Sequence, residues 1–145
     1  MKIYTIGFTK KPAKKFFGLL SAARVKTLVD IRLNNVSQLS GFAKRDDLAY
    51  FLSEICGVSY AHRSELAPTH SMLDDYKKKR TDWAEYEARF LELMEQRDIS
   101  QLIPQELLSN SVLLCSEDTP HRCHRRLVAE YLALRWEGVT VEHLV

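Results

Sequence analysis

Residues 2–31 of the chain, KIYTIGFTKKPAKKFFGLLSAARVKTLVDI, contain the pattern that decides the fold. The β-branched and aromatic run Lys2–Phe8 predicts a first strand. Apolar residues then recur at helical spacing across residues 12–23, and a second apolar run, Thr27–Ile31, predicts another strand. A strand, a helix and a strand at this spacing predict a right-handed βαβ unit whose two strands pair in parallel.

The same alternation of strands and helices continues along the rest of the chain. The further predicted strands are Val58–His62, Ser111–Cys115 and Val139–Leu144. The further predicted helices are Asp46–Cys56, Asp82–Gln96 and a last helix with Thr119 as its N-cap and Pro120 in its first turn. The polar, aperiodic stretch Leu33–Arg45 predicts a long loop. Together these elements predict a three-layer α/β sandwich with a mostly parallel sheet of about five strands.

The composition is that of a folded domain, and we predict that residues 1–145 form a single domain. A hydrophobic share of 46% argues against disorder, and a formal net charge of +2 argues against a dedicated electrostatic DNA binder. The three cysteines are an odd number without framework spacing, which favours free thiols in a reducing compartment. No apolar segment is long enough for a membrane span or a secretory signal, so we expect a cytoplasmic protein that does not bind membranes. The oligomeric state stays open.

Polar residues follow the carboxyl ends of the predicted strands, where open parallel sheets bind their ligands. Thr9 follows the first strand, Asp30 and Arg32 follow the second, and His62 follows the third. The strand before the last helix ends at the polar run Cys115–Asp118. Packing does not explain so many polar side chains at one edge, so we predict the functional site there. Asp30 and Arg32 share one face of their strand and form either part of this site or a structural ion pair.

The segment Cys115–Arg126, with the sequence CSEDTPHRCHRR, is the densest part of this edge. If its helix begins at Pro120, the first two turns carry three arginines that oppose the helix macrodipole: Arg122, Arg125 and Arg126. A bound phosphate or carboxylate removes this conflict, because backbone N–H groups and arginine forks bind anions. The alternative is internal neutralisation by the two carboxylates that precede the helix. The favoured anion site predicts that Arg125→Ala weakens ligand binding with little effect on stability.

The residues between these arginines have more than one interpretation. His124 is spaced with the apolar positions of its helix, so it faces the sheet, either as a satisfied core histidine or as a functional residue. We expect the helix dipole and the arginines to acidify the thiol of Cys123.

Three chemistries use these residue types. A phosphatase-type thiolate loop fails, because Cys115 and Arg122 are too far apart in the sequence. A zinc site is disfavoured, because no Cys-x-x-Cys pair is present. Its candidate ligands are Cys115, His121, Cys123 and His124. Acid–base catalysis by Glu117 or Asp30 on an anion held by the arginines is the third possibility.

The motifs at these positions resemble those of the domain of unknown function 488 family. They are Thr5-Ile6-Gly7, Val29-Asp30-Ile31-Arg32, Tyr60-Ala61-His62, Leu114-Cys115-Ser116-Glu117 and Pro120-His121-Arg122-Cys123-His124-Arg125. The resemblance spans nearly the whole chain and implies a shared fold and a shared site. It implies no reaction, since the family's name states that its function is unknown. Many members have His-Ser where this chain has Phe8-Thr9, so the role of that histidine is either vacant here or filled by His62.

We therefore expect an enzyme that acts on a phosphate-bearing or nucleotide-like anionic ligand at the carboxyl edge of the sheet. The expected catalytic residues are Asp30, Glu117, Cys123 and His124. The expected ligand-binding residues are Thr9, Arg32, His62, Arg122 and Arg125. We expect no metal and no cofactor, and the expected partner is a small anionic ligand or a nucleic-acid component. The alternatives are a non-catalytic nucleotide or nucleic-acid binding module, and a Cys/His metal or thiol redox protein.

Overall fold

A computed structural model describes residues 1–145 as alternating strands and helices. The strands are β1 (Lys2–Gly7), β2 (Thr27–Asp30), β3 (Ser59–His62), β4 (Ser111–Cys115) and β5 (Thr140–Leu144). The helices are α1 (Ala13–Ala23), α2 (Arg45–Phe51), α3 (His70–Lys77), α4 (Trp83–Gln96), α5 (Ile99–Leu102), α6 (Gln105–Leu108) and α7 (His124–Arg135). A π-helical turn, Leu52–Cys56, continues α2. None of these helices combines the length and the apolar composition that crossing a lipid bilayer requires.

The five strands form one all-parallel sheet in the order β3-β2-β4-β1-β5. The predicted α/β class with a mostly parallel sheet is therefore confirmed. The predicted pairing of β1 with β2 is wrong, because β4 lies between them and pairs with both. Every residue of β4 is buried, and its centre is the apolar run Val112–Leu114. A strand that is buried on both faces belongs in the middle of a parallel sheet.

Helices cover both faces of the sheet and produce two hydrophobic cores. The core beneath α1 and α2 includes Ile6, Phe16, Leu20, Leu28, Leu48, Val112 and Leu114. The core beneath the later helices includes Ile3, Val29, Phe90, Met94, Leu113, Leu127 and Val128. Because side chains alternate along a strand, Leu113 and Cys115 point to the same face. The end of β4 therefore directs the side chain of Cys115 towards the layer that contains α4 and α7.

The last helix begins later than the sequence predicts. Its first residue is His124 and its N-cap is Cys123, so Thr119 and Pro120 lie in the irregular turn that precedes it. Side chains from elsewhere hold the polar groups of this turn. The ammonium of Lys11 donates to the carbonyl and the carboxylate of Asp118 at 2.9 and 2.8 Å. These long-range bonds satisfy polar groups of the turn and fix its position against the chain at Lys11.

Several short elements are absent from the prediction. The predicted loop at residues 33–45 contains a 3₁₀ segment, Gln38–Ala43, and another 3₁₀ turn covers Ser64–Leu66. Helices α3, α5 and α6 are eight residues or shorter. Isolated helices of this length are unstable in water, so they form because residues such as Met72 and Ile99 pack into the core.

Gly7 is required where β1 meets the turn after β4. A Cβ atom at Gly7 would overlap the carbonyl oxygen of Glu117 and lie 2.7 Å from Nη1 of Arg125. Because backbone atoms must move to relieve this overlap, we expect Gly7→Ala to lower the free energy of unfolding by about 2 kcal/mol or more. Chemical denaturation followed by circular dichroism measures the change.

Gly18→Ala is the matched control for this substitution. A Cβ atom at Gly18 of α1 meets nothing within 4 Å. Helix propensity therefore predicts a gain in stability of about 0.5–1 kcal/mol. Equal effects of the two substitutions would contradict the close approach at Gly7.

Candidate functional site

A pocket of about 260 Å³ opens at the carboxyl ends of β2 and β4. Its polar lining consists mainly of Arg32 after β2, the segment 115–117 at the end of β4, and Cys123 and His124 at the start of α7. An aromatic group of lining residues comes from α3 and α4 and consists of Tyr76, Trp83 and Tyr86. The pocket therefore offers polar groups and aromatic surface to the same ligand.

Asp30 is fully buried at the end of β2 and forms a bidentate ion pair with Arg32. Nε and Nη2 of Arg32 each donate to a carboxylate oxygen at 2.8 Å, and the hydroxyl of Tyr60 donates to the same carboxylate at 2.5 Å. Burial raises the pKa of Asp30, but the hydrogen bonds and charge of Arg32, helped by Tyr60, outweigh it and leave the pKa below its usual value. Asp30 does not line the pocket, so the structure places this expected catalytic carboxylate as the partner of Arg32.

Asp30 orients Arg32 without satisfying all of its donors. The side chain of Arg32 is 3% exposed, and its guanidinium lies over the ring of Phe8, 5.3 Å from the centroid. Its Nη1 is buried and has no hydrogen-bond partner. A buried donor without a partner costs about 1–3 kcal/mol. Arg32 lines the pocket, and an acceptor atom that reached Nη1 would remove this cost.

Cys115 and His124 form a buried pair beside Arg32. Sγ of Cys115 lies 3.2 Å from Nδ1 of His124, and Nε2 of His124 lies 2.7 Å from the carbonyl oxygen of Ile31. A carbonyl oxygen only accepts hydrogen bonds, so Nε2 carries a proton and Nδ1 faces the sulfur. The side chain of His124 therefore bridges the backbone just after β2 and the thiol at the end of β4.

Cys123 completes a cluster in which both sulfur atoms and a ring nitrogen of His124 lie within 4.8 Å of one another. Burial raises the pKa of Cys115, but the hydrogen bond from Cys123, the charge of Arg125 and two backbone N–H groups outweigh it and lower the pKa. Burial and the neighbouring Cys115 raise the pKa of Cys123 well above its usual value. The expected acidification of Cys123 is therefore wrong, and the acidified thiol is Cys115.

Arg125 is fully buried and its donors are used by the protein itself. Nη1 donates to the carbonyl oxygen of Glu117 at 2.6 Å, Nη2 to that of Asp118 at 3.4 Å, and Nε to Oγ1 of Thr5 at 3.4 Å. Arg125 does not line the pocket. The structure therefore places this expected ligand-binding arginine in the packing of the turn after β4, where backbone carbonyl groups rather than carboxylates accept its hydrogen bonds.

The remaining predicted residues divide into two groups. Glu117 and Arg122 are exposed and line the pocket. Thr9 and His62 are also exposed but lie outside its lining, where each contacts backbone of the neighbouring turns. The N–H of Thr9 donates to the carbonyl oxygen of Ser116 at 3.0 Å, and Nε2 of His62 lies 3.1 Å from the carbonyl oxygen of Arg32. His121 belongs to neither the pocket lining nor the Cys/His cluster.

The sequence did not identify the aromatic part of the pocket. The helical spacing of Trp83 and Tyr86 indicates core packing, and both do pack into the core. Their rings also stack on each other, with centroids 5.2 Å apart and planes at 22°. Trp83 is only half-buried at the first turn of α4. Trp83 is the first residue of α4, and an aromatic side chain at a helix start was the signal that the sequence offered for this part of the pocket.

Comparison with known proteins gives one match. A family model described as "Domain of unknown function DUF488" matches residues 12–132. This range contains every lining residue of the pocket. No curated protein and no solved structure matches the chain.

The ion pair of Asp30 predicts a pH-dependent contribution to stability. Because the pKa of Asp30 is lower in the folded state, its contribution is fully present above the unfolded value of about 3.9 and is lost as pH falls through the folded value. We expect Asp30→Asn, which leaves Arg32 buried and unpaired, to cost about 3 kcal/mol near neutral pH. This penalty should shrink below about pH 4 in denaturation experiments at a series of pH values. A penalty that is constant with pH would contradict the ionised pair.

The contacts of Arg125 predict a structural role. We expect Arg125→Ala to lower the free energy of unfolding by about 3 kcal/mol, because it removes several buried hydrogen bonds and leaves a cavity. Thermal and chemical denaturation measure the effect. The control is Arg126→Ala at the next position, where the side chain is half-buried and pairs with Glu130, and where we expect a loss of about 1 kcal/mol or less. Similar losses in the two variants would contradict the structural role of Arg125.

Proposed function

The chain belongs to the DUF488 family, and on the basis of its pocket we propose that it is an enzyme acting on a small phosphate-bearing ligand of nucleotide-like character. In this proposal the ligand binds at the carboxyl edge of the sheet, between Arg32 and the aromatic residues of α3 and α4. The enzyme works in the cytoplasm, where reducing conditions keep its three cysteines as free thiols.

The unpartnered Nη1 of Arg32 is the observation that carries the proposal. The other guanidinium donors are fixed on Asp30, so the direction of Nη1 is set before any ligand arrives. A donor that is oriented in advance binds an acceptor without paying the usual cost of ordering a flexible side chain. Phosphate and carboxylate oxygens are the preferred acceptors of arginine, and a charge-assisted bond from a buried donor is a strong one.

The remaining lining residues favour a ligand that has an aromatic or apolar part as well as an anionic one. Tyr76, Trp83 and Tyr86 supply flat surface, and a nucleobase has a face that stacks on such rings. Arg122 and Lys77 are exposed residues of the lining and add positive charge. The volume of about 260 Å³ suits a small molecule, which argues against a groove that follows a nucleic-acid strand.

The groups beside the ligand favour an enzyme over a binding module. Glu117 is exposed, lines the pocket and is the carboxylate available to move a proton. The Cys/His cluster, Cys115, Cys123 and His124, lines the same pocket. The pKa of Cys115 is lowered, in spite of burial, by the hydrogen bond from Cys123 and the charge of Arg125, and a thiolate is the form of cysteine that reacts or binds a metal.

Replacement of Arg32 tests this function. Arg32→Lys keeps the positive charge but removes the planar fork, so we expect it to weaken the binding of inorganic phosphate and of nucleoside monophosphates about tenfold or more. Calorimetric titration of metal-free protein measures the affinities. Arg63→Lys is the matched control, because Arg63 lies outside the pocket lining and pairs with Glu65.

Two results would contradict the proposal. One is a wild-type protein that binds none of these phosphate compounds, and the other is equal affinity of wild type and Arg32→Lys. Phosphorus NMR of each bound compound then reports turnover. A nucleotide that binds through Arg32 but is never converted would favour the binding module over the enzyme.

A further inference from the structure

Three metal-ligating atoms converge beside the pocket, from two elements that are apart in the sequence. Cys115 is the last residue of β4, and Cys123 and His124 are the N-cap and the first residue of α7. All three side chains are buried, and their ligand atoms lie within 4.8 Å of one another. In a tetrahedral zinc site with Zn–S of about 2.3 Å and Zn–N of about 2.0 Å, neighbouring ligand atoms are roughly 3.5–3.8 Å apart. Small side-chain movements therefore suffice to bring the cluster to metal geometry.

The surroundings of His124 are those of a metal ligand. A ligating histidine usually donates its second ring N–H to a carboxylate or a backbone carbonyl, which fixes the tautomer and the direction of the ring. Nε2 of His124 lies 2.7 Å from the carbonyl oxygen of Ile31, and Nδ1 faces Sγ of Cys115 at 3.2 Å. Nδ1 of the imidazole therefore points into the cluster, and in the neutral ring it is the nitrogen that can ligate a metal.

The number of ligands distinguishes the kind of site. Structural zinc sites have four protein ligands, whereas catalytic sites have three and leave the fourth position for water or substrate. The cluster has three members, and each of them also lines the pocket. A fourth ligand from outside the protein would have to reach the cluster from this pocket.

We propose that Cys115, Cys123 and His124 bind a single zinc ion whose fourth coordination position opens into the pocket. Two sulfur ligands and one imidazole are a donor set that suits zinc. The sequence-based objection to such a site was the missing Cys-x-x-Cys pair, and the fold removes it by bringing the end of β4 to the start of α7. His121, which the sequence offered as a fourth ligand, is exposed and outside the cluster.

This metal site goes beyond the proposed function and does not require it. A zinc ion held by these three residues would supply Lewis-acid chemistry to a ligand or water molecule in the pocket. It places that activity in the pocket that Arg32 also lines.

Cobalt substitution tests the ligand set directly. Protein stripped with a chelator is titrated with Co²⁺, whose tetrahedral thiolate complexes have strong visible bands and a sulfur-to-metal charge-transfer band. We expect wild type to bind a single equivalent with this spectrum and to exchange it for Zn²⁺. The charge-transfer band should be clearly weakened or lost in Cys123→Ser and retained at full intensity in Cys56→Ser, which removes a half-buried thiol of the π-helical turn outside the cluster. A wild type without the thiolate spectrum, or a band of undiminished intensity in Cys123→Ser, would overturn the site.

A second measurement uses only wild type, in case Cys123→Ser does not fold. Alkylation followed by mass spectrometry compares the three thiols in zinc-loaded and zinc-stripped protein. Zinc should protect Cys115 and Cys123 and leave the labelling of Cys56 unchanged. The labelling is done in enough denaturant to expose both thiols of the zinc-stripped protein, and equal labelling of Cys115 and Cys123 with and without zinc under these conditions overturns the proposal.

The tests of the metal and of the anion are independent. The cobalt spectrum of Arg32→Lys reports the metal site when anion binding is lost, because Arg32 is not a member of the cluster. Phosphate titration of zinc-stripped wild type reports anion binding when the metal site is absent. A failure of either proposal is therefore visible while the other one holds.

Discussion

The position of the candidate site depends on the buried guanidinium of Arg125. A cation inside a protein is tolerated only when its charge and its N–H groups are satisfied, and Arg125 finds acceptors on the turn after β4 and on β1. Because α7 carries Arg125, this side chain fixes the helix start to the carbonyl groups of Glu117 and Asp118. Cys115 precedes this turn and Cys123 ends it. The short distance between the two thiols therefore follows from the way Arg125 closes the turn.

Arg32 and Arg125 are both buried near the carboxyl edge of the sheet, but only Arg32 lines the pocket. Every guanidinium nitrogen of Arg125 has an acceptor within the protein, and its side chain lies outside the pocket lining. Arg32 has two nitrogens on Asp30 and a third without a partner. Burial and charge are the same for both, so neither property separates the structural residue from the binding residue. What distinguishes the two residues is whether every guanidinium nitrogen has a hydrogen-bond acceptor within the protein.

The sequence was sufficient for most of the elements and for the edge that holds the pocket. Periodicity predicted β1, α1, β2, β4 and the main part of α4, because each is long or apolar enough for its local pattern to dominate. Periodicity could not predict the strand order, because the insertion of β4 between β1 and β2 depends on burial across the whole sheet. The start of α7 was predicted wrongly for a related reason. Thr119 and Pro120 are a good local start, but Lys11 binds the turn from a distant part of the chain and Arg125 binds it from α7 itself.

The same limit applies to the Cys/His cluster, whose ligand atoms lie close together in the structure although the spacing of the residues in the sequence does not indicate a metal site. Sequence rules for zinc look for pairs on one short turn, whereas here a strand end supplies one ligand and a helix start supplies two. The strand end and the helix start also border the pocket, since ligands of parallel sheets bind where strands finish and helices begin. A metal at the cluster and the guanidinium of Arg32 would then face a single pocket. Such a pair favours a ligand with more than one anionic oxygen, because one oxygen can meet the guanidinium while another meets the metal.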